Sequence, residues 1–175
     1  MDAFESLLAR RSIRRFTAKD VSREDERKLI DAAFAAPSAN NERPWHFVVV
    51  RDPATRARLA GVHTWSGLLR RSPLVIAVLG QADATYWVED GAAATENVLV
   101  AATGLGLGSC WVGIWENGPR PHPEEVAALE ILGTEPDAFR CLCLIGIGHP
   151  ADHKAPRTQF QPTKLSFERV GRHAR

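Results

Sequence analysis

At 175 residues, with 45% hydrophobic and 25% charged side chains, the chain has the size and composition of one globular domain able to bury a substantial core. Its 22 basic side chains against 21 acidic ones leave a net charge of +1, which implies no general polyanion-binding surface, so any basic site must be local. Cysteines at 110, 141 and 143 make no disulfide framework, the apolar run at 74–79 is too short to span a bilayer, and the N-terminal MDAFESLLARR lacks a signal peptide's apolar stretch, so a cytoplasmic protein is expected.

In chain order, residues 3–10 read as a short amphipathic helix with Phe4, Leu7 and Leu8 at helical spacing. It delivers RRSIRRF at residues 10–16, with four guanidiniums and a hydroxyl in seven residues. Ile13 and Phe16 favour extended backbone there, which turns Arg10, Ser12 and Arg14 to one face. Such a face suits a phosphate dianion, because each arginine fork donates paired hydrogen bonds and keeps its charge. A solvated basic run is the alternative.

Ser22 is the expected N-cap of a second helix reaching about Ala36, with acids in its first turn and Leu29, Ile30, Ala33 and Phe34 as its apolar positions. Pro37 ends it. The loop PSANNERPW (37–45) is polar, rich in turn formers and bounded by prolines; a core strand, 46–51, follows directly. Such a loop can hydrogen-bond a polar ligand, or merely connect.

Asp52 and Pro53 start a helix as N-cap and first helical residue. Residues 61–72 read as helix and loop, 74–79 as a buried strand closed by Gly80, and 86–103 as a long, mostly buried helix ended by Gly104. GLGLGSCWVG (104–113) is a third strand or a turn beside one, 123–132 a short helix, and 139–147 a fourth strand. From Ala151 the chain reads as an extended, basic, proline-bearing arm. Strands and helices mix without βαβ alternation, which predicts an α+β sandwich in a single domain, 1–175, with the arm at about 151–175.

Several chemistries are excluded. A GxGxxG counted from Gly104 meets Ser109 at its third glycine and follows a helix, so a dinucleotide fold fails. Walker A and GxSxG patterns are missing. Cys141 and Cys143 on a regular strand stand about 6.6 Å apart at the backbone, whereas sulfurs on one zinc must lie within about 4 Å, so two core cysteines are preferred over a zinc site with His149 and His153. The five tryptophans read as packing, with Trp111 also able to lie against a flat ligand. Asp90 and Glu96 have no evident acid–base partner.

Together these segments resemble the nitroreductase family of flavin enzymes: RRSIRRF after a first helix, APSANNERPW (36–45) before the first long strand, the central helix from about Asp90, GLGLGSCW (104–111), and IGIGHP (145–150). The resemblance implies an α-β-α sandwich with a central, mostly antiparallel sheet and a C-terminal arm exchanged in a homodimer. It further implies FMN at the subunit interface. Arg10, Arg11, Ser12 and Arg14 would hold the phosphate and ribityl chain. Pro37, Ser38, Ala39 and Asn41 would reach the flavin from the other subunit. Cys110, Trp111 and Gly113 would lie by the ring, and Arg157, or else Lys154, would complete the phosphate site. Leu165 and Phe167 would anchor the arm.

The implied reaction is ping-pong transfer from NADH or NADPH through FMN to a nitroaromatic, quinone or similar small acceptor. Because the flavin does the bond-making, no catalytic side chain is assigned. Reductive dehalogenation, flavin fragmentation and a non-catalytic FMN-binding module are the alternatives. Two departures stand out: Arg43 replaces a frequent Gln, and the chain lacks the long insertion that covers the flavin in larger members.

Overall fold

The computed structural model describes residues 1–116, 118, 120–156 and 159–172. Arg157, one of the two arm residues expected at the phosphate, lies outside them.

Four strands form one antiparallel sheet in the order β1-β2-β4-β3. They are β1 (Trp45–Val50), β2 (Leu74–Gln81), β3 (Gly108–Gly113) and β4 (Phe139–Gly148). β2 and β4 occupy the centre, which is why both read as near-continuous apolar runs. Along β2 successive residues alternate between two cores: Leu74, Ile76 and Val78 enter one, Val75, Ala77 and Leu79 the other. The first core is closed by α2 (Arg23–Phe34) and α4 (Trp87–Gly104), the second by α3 (Pro53–Leu59), α5 (Pro123–Leu132) and a 3-10 turn at Ser66–Arg71. Helices on both faces of an antiparallel sheet make the expected α-β-α sandwich.

Local chemistry sets the element ends. Asp2 caps α1 (Ala3–Ala9) in a reciprocal box with Glu5, the Ser22 hydroxyl accepts from the Asp25 amide at 3.0 Å, and Asp52 accepts from the Thr55 amide at 2.7 Å. α4 ends differently from expectation. Gly104 is its last residue and does not make the left-handed turn; that falls to Gly106 (φ 73°). Gly104 instead lets α1 approach, since a Cβ there would sit 3.1 Å from the Ser6 hydroxyl. β2 also continues past Gly80, whose missing side chain admits the Trp87 ring.

Three further differences are physical. In α1 the buried residue is Ser6, while Phe4, Leu7 and Leu8 are exposed, so the apolar stripe faces outward in the single chain. Trp65 is 75% exposed rather than packed. Cys141 and Cys143 are both fully buried, but a bulge opposite Val78 and Leu79 puts Leu142 and Cys143 in one core and Cys141 in the other. The expected side-by-side pair is therefore split by the sheet.

A buried ion pair fixes the start of β4. Glu125, wholly buried, takes Arg140 Nε at 2.7 Å and Nη2 at 2.9 Å, and accepts from the Cys141 amide at 2.9 Å.

Candidate functional site

The RRSIRRF segment is extended, as its β-branched and aromatic residues require. Ser12 bridges Ser109 of β3 in parallel, the Ile13 amide donates to the Ser109 carbonyl at 2.9 Å, and Phe16 bridges Pro150 just after β4. This docking depends on Gly108. A Cβ there would lie 2.8 Å from both Ile13 Cβ and Cγ2, so only glycine lets the segment lie flat against β3.

The docked segment creates a narrow slot of about 250 Å³ lined by Arg10, Arg11, Ser12, Arg14, Lys154 and Gln159. Four cations line it and, among the described residues, no carboxylate. Its geometry is held from behind. Lys154 Nζ donates to the Ser12 carbonyl at 2.7 Å, Arg11 donates to the Ala155 carbonyl, and Arg10 Nε pairs with Glu96 of α4 at 3.1 Å. Sequence reasoning left Glu96 without a role; its role is to orient Arg10.

Arg14 also lines a second cavity of about 500 Å³, joining the two. Its walls are Cys110, Trp111, Val112 and Gly113 on β3 and His63, Thr64, Trp65, Gly67 and Leu68 opposite. Burial pushes the Cys110 thiol up, against the opposing pull of the Arg14 charge, a Ser12 hydrogen bond and the Lys154 charge. Burial thus favours the neutral thiol at this wall.

The structure brings together Arg10, Arg11, Ser12, Arg14, Lys154, Cys110, Trp111 and Gly113. It does not bring Pro37, Ser38, Ala39 or Asn41 to either cavity of the same chain. Their loop is nevertheless rigidly built. Asn40, Asn41 and Arg43 take left-handed φ of 50°, 57° and 53°; the Arg43 amide donates to the Ser38 hydroxyl at 3.0 Å and the Ala39 amide to Asp90 Oδ1 at 2.9 Å. Asp90 is therefore the loop's tether, with its Oδ2 buried and lacking a hydrogen-bond partner. Arg43 is exposed and folds back onto Asn41 at 2.9 Å.

Sequence reasoning missed Gln159 and the wall at 63–68. Gln159 carries no periodic signal, and 61–72 lacks the repeat that marks a helix or strand, so only the cavity that Trp65 shares with Trp111 reveals it.

A cationic slot and a cavity walled by Trp111 and Trp65 thus share Arg14 on an α+β sandwich. The family model for the nitroreductase family matches residues 7–66 and 60–149. A protein of Archaeoglobus fulgidus named as a candidate NADH dehydrogenase/NAD(P)H nitroreductase is 35% identical, with 96% of this chain and 98% of that one covered. A protein of the same name from Methanothermobacter thermautotrophicus is 33% identical over 97% of this chain and 88% of its own. Among solved structures, an FMN-dependent nitroreductase from Clostridium difficile superposes with a TM-score of 0.88 at 27% identity, covering 95% and 99% of the two chains. A candidate nitroreductase from Desulfovibrio desulfuricans, solved in complex with FMN, gives 0.79 at 30% identity, covering 90% and 92%. The chain belongs to the nitroreductase family.

Proposed function

We propose that this protein is an FMN-dependent oxidoreductase that passes electrons from NADH or NADPH to a nitroaromatic, quinone or similar small acceptor. The observation that carries the reading is the slot itself: four cations, no lining carboxylate among the described residues, and a direct opening through Arg14 into an aromatic-walled cavity. Those dimensions and charges fit FMN, with its phosphate in the slot and its ring in the cavity.

Arg10, Arg11, Arg14 and Lys154 would hold the phosphate, and Ser12 would add a hydroxyl donor. The β3 backbone at Trp111 and Gly113 would support the ring. When bound, FMN supplies hydride acceptance from the nicotinamide and electron delivery to the acceptor. The chain's own task is positional: Glu96 and the Ala155 carbonyl keep the arginines aimed, and the protonated Cys110 keeps a neutral wall near Arg14. The site needs no acid–base side chain.

A homodimer completes this reading. The exposed Phe4, Leu7 and Leu8 of α1, with Phe160, Leu165 and Phe167 of the arm, supply apolar surface for a partner. The Asp90-tethered loop would then offer Ser38, Ala39 and Asn41 to the neighbouring subunit's flavin, with Pro37 fixing the loop's entry.

The test is the visible spectrum of the purified protein, chromatographic identification of its released cofactor, its mass in solution and its anaerobic reduction by NADH or NADPH. Arg10→Ala with Arg14→Ala should weaken FMN binding by about 100-fold or more, since hydrogen bonds to charged groups contribute about 1.5–3 kcal/mol each. A colourless monomer that takes up no added FMN, or a double variant that retains it fully, rejects the assignment.

A further inference from the structure

A larger cavity, about 610 Å³ and open to solvent, is lined from Thr17 onward, just after the RRSIRRF segment, and shares no lining residue with the slot or the aromatic cavity. Five arginines line it: Arg23 on α2, Arg51 after β1, Arg56 on α3, and Arg70 and Arg71 on the 3-10 turn. Lysine and aromatic side chains are absent from its lining.

The arginines fall into two groups. Arg51 and Arg56 are pinned. Arg51 donates to the Val21 carbonyl at 2.8 Å, to Asp20 Oδ1 at 3.1 Å and to Glu26, while Arg56 donates to the Arg51 carbonyl at 3.1 Å and to the Ser72 carbonyl. Arg23 shares Glu26 at 3.0 Å. Arg70 and Arg71, by contrast, are exposed, and no carboxylate among the described residues pairs with them. Among the described residues these five guanidiniums meet Asp20 and Glu26, and Arg56 also faces Asp52, a local excess of two positive charges in a chain whose net charge is +1.

Guanidinium forks match phosphoryl oxygens two at a time, and pinned forks bind without first losing rotamer freedom. Arg51, bonded through Nε, Nη1 and Nη2, only shapes the floor; Arg56, bonded through Nε and Nη1 alone, and the exposed Arg70 and Arg71 present the forks, with no ring in the lining against which a base could stack. We infer that this cavity binds a pyrophosphate group, two linked phosphoryl units, supplied either as inorganic pyrophosphate or as the diphosphate of a nucleotide. Arg51 and Arg56 form the fixed floor, and Arg70 and Arg71 close over the ligand. The inference does not depend on the flavin assignment.

Calorimetric titration of the purified protein at fixed ionic strength, first with inorganic pyrophosphate and then with ADP, tests it. Saturable binding of one ligand per chain is expected. It should weaken at least tenfold in Arg70→Ala/Arg71→Ala and less in Arg70→Lys/Arg71→Lys, which keeps the charge but loses the forks. Binding should be unchanged in Arg10→Ala/Arg14→Ala, which damages only the slot, and in Arg27→Ala/Lys28→Ala, which removes two charges elsewhere on α2. Tighter ADP assigns the natural source to a nucleotide; tighter pyrophosphate assigns it to the free anion. Should the alanine pair fail to fold by circular dichroism, the lysine pair must still show weakening. Absent binding, heat that vanishes at matched chloride, or unweakened binding in the Arg70/Arg71 variants overturns the inference.

Discussion

Replacing Gly108 with alanine tests whether the docking of residues 12–16 on β3 builds the site. The new Cβ would lie 2.8 Å from Ile13 Cβ and Cγ2 and 3.0 Å from Cγ1. Carbon pairs prefer about 3.5–4.0 Å, so the segment must retreat by roughly 0.5–1 Å. Ile13 cannot turn aside, being β-branched, buried and held by its amide bond to the Ser109 carbonyl. Overpacking of this kind costs about 1–3 kcal/mol. The same retreat shifts Ser12 and Arg14 away from β3, so FMN affinity should fall about tenfold to 100-fold. Quenching of flavin fluorescence on titration reads the affinity, and urea unfolding reads the stability. Ile13→Ala alone should cost about 2–5 kcal/mol through its cavity; in combination it removes the Cγ1 and Cγ2 contacts but keeps the Cβ contact at 2.8 Å, so the double variant should be more stable than the two single costs predict by about 1 kcal/mol. Wild-type stability and affinity in Gly108→Ala, or strict additivity in the double variant, would refute the reasoning.

Glu125→Ala leaves the Arg140 guanidinium and the Cys141 amide without their buried acceptor; a loss of about 3–5 kcal/mol in urea unfolding is expected, and of less with Glu125→Gln. Burial pushes the Cys143 thiol up to about 12 from an ordinary 9.0, with only Thr95 opposing, and raises Cys141 too, chiefly by burial. The folded state therefore holds these protons more tightly than the unfolded chain. The Cys143 contribution is complete below pH 9 and is lost as the pH climbs toward 12, by about 1.4 kcal/mol per pH unit, and Cys141 adds to the same alkaline fall. Cys143→Ala should flatten that alkaline fall in melting temperature, and an unchanged slope would contradict it. Asp90→Ala removes the acceptor of the Ala39 amide, so limited proteolysis should cut residues 38–43 faster than in the native protein; equal cleavage rates would show that the loop needs no tether.

The sheet and its covering helices were legible because their signals are local. The apolar run of β2, the caps Ser22 and Asp52, and Pro123 at the first turn of α5 each act within a few residues. The lining of the slot was legible for the same reason: four arginines and a serine in one extended stretch must gather their charges in one place, although the stretch alone suits a solvated basic run as well as a phosphate site. What sequence could not show depends on partners distant in the chain. Glu96 orients Arg10, and Glu125 meets Arg140, only after folding brings α4 and α5 into place. The bulge that separates Cys141 from Cys143 is set by register against β2, and strand alternation alone puts them on one face. Gly104 and Gly106 look equivalent as letters; only the helix's true end distinguishes a close contact from a left-handed turn. The outward face of α1 is the opposite case, since periodicity identified the stripe correctly but carries no information on what covers it.

The slot is assembled from the two ends and the middle of the chain: residues 10–14, their support at 108–113, and Lys154 and Gln159. During synthesis its arginines therefore emerge roughly a hundred residues before their backing strand. Pairing of β2 with β4, which joins residues 74–81 to 139–147, must also wait for the last quarter of the chain. Loop-closure entropy makes such long-range pairing slow relative to helix formation. No N-terminal fragment can possess the finished slot, so truncated chains are unable to sequester its ligand. Ligand capture thus requires the strand at 108–113 and, later still, the segment bearing Lys154 and Gln159.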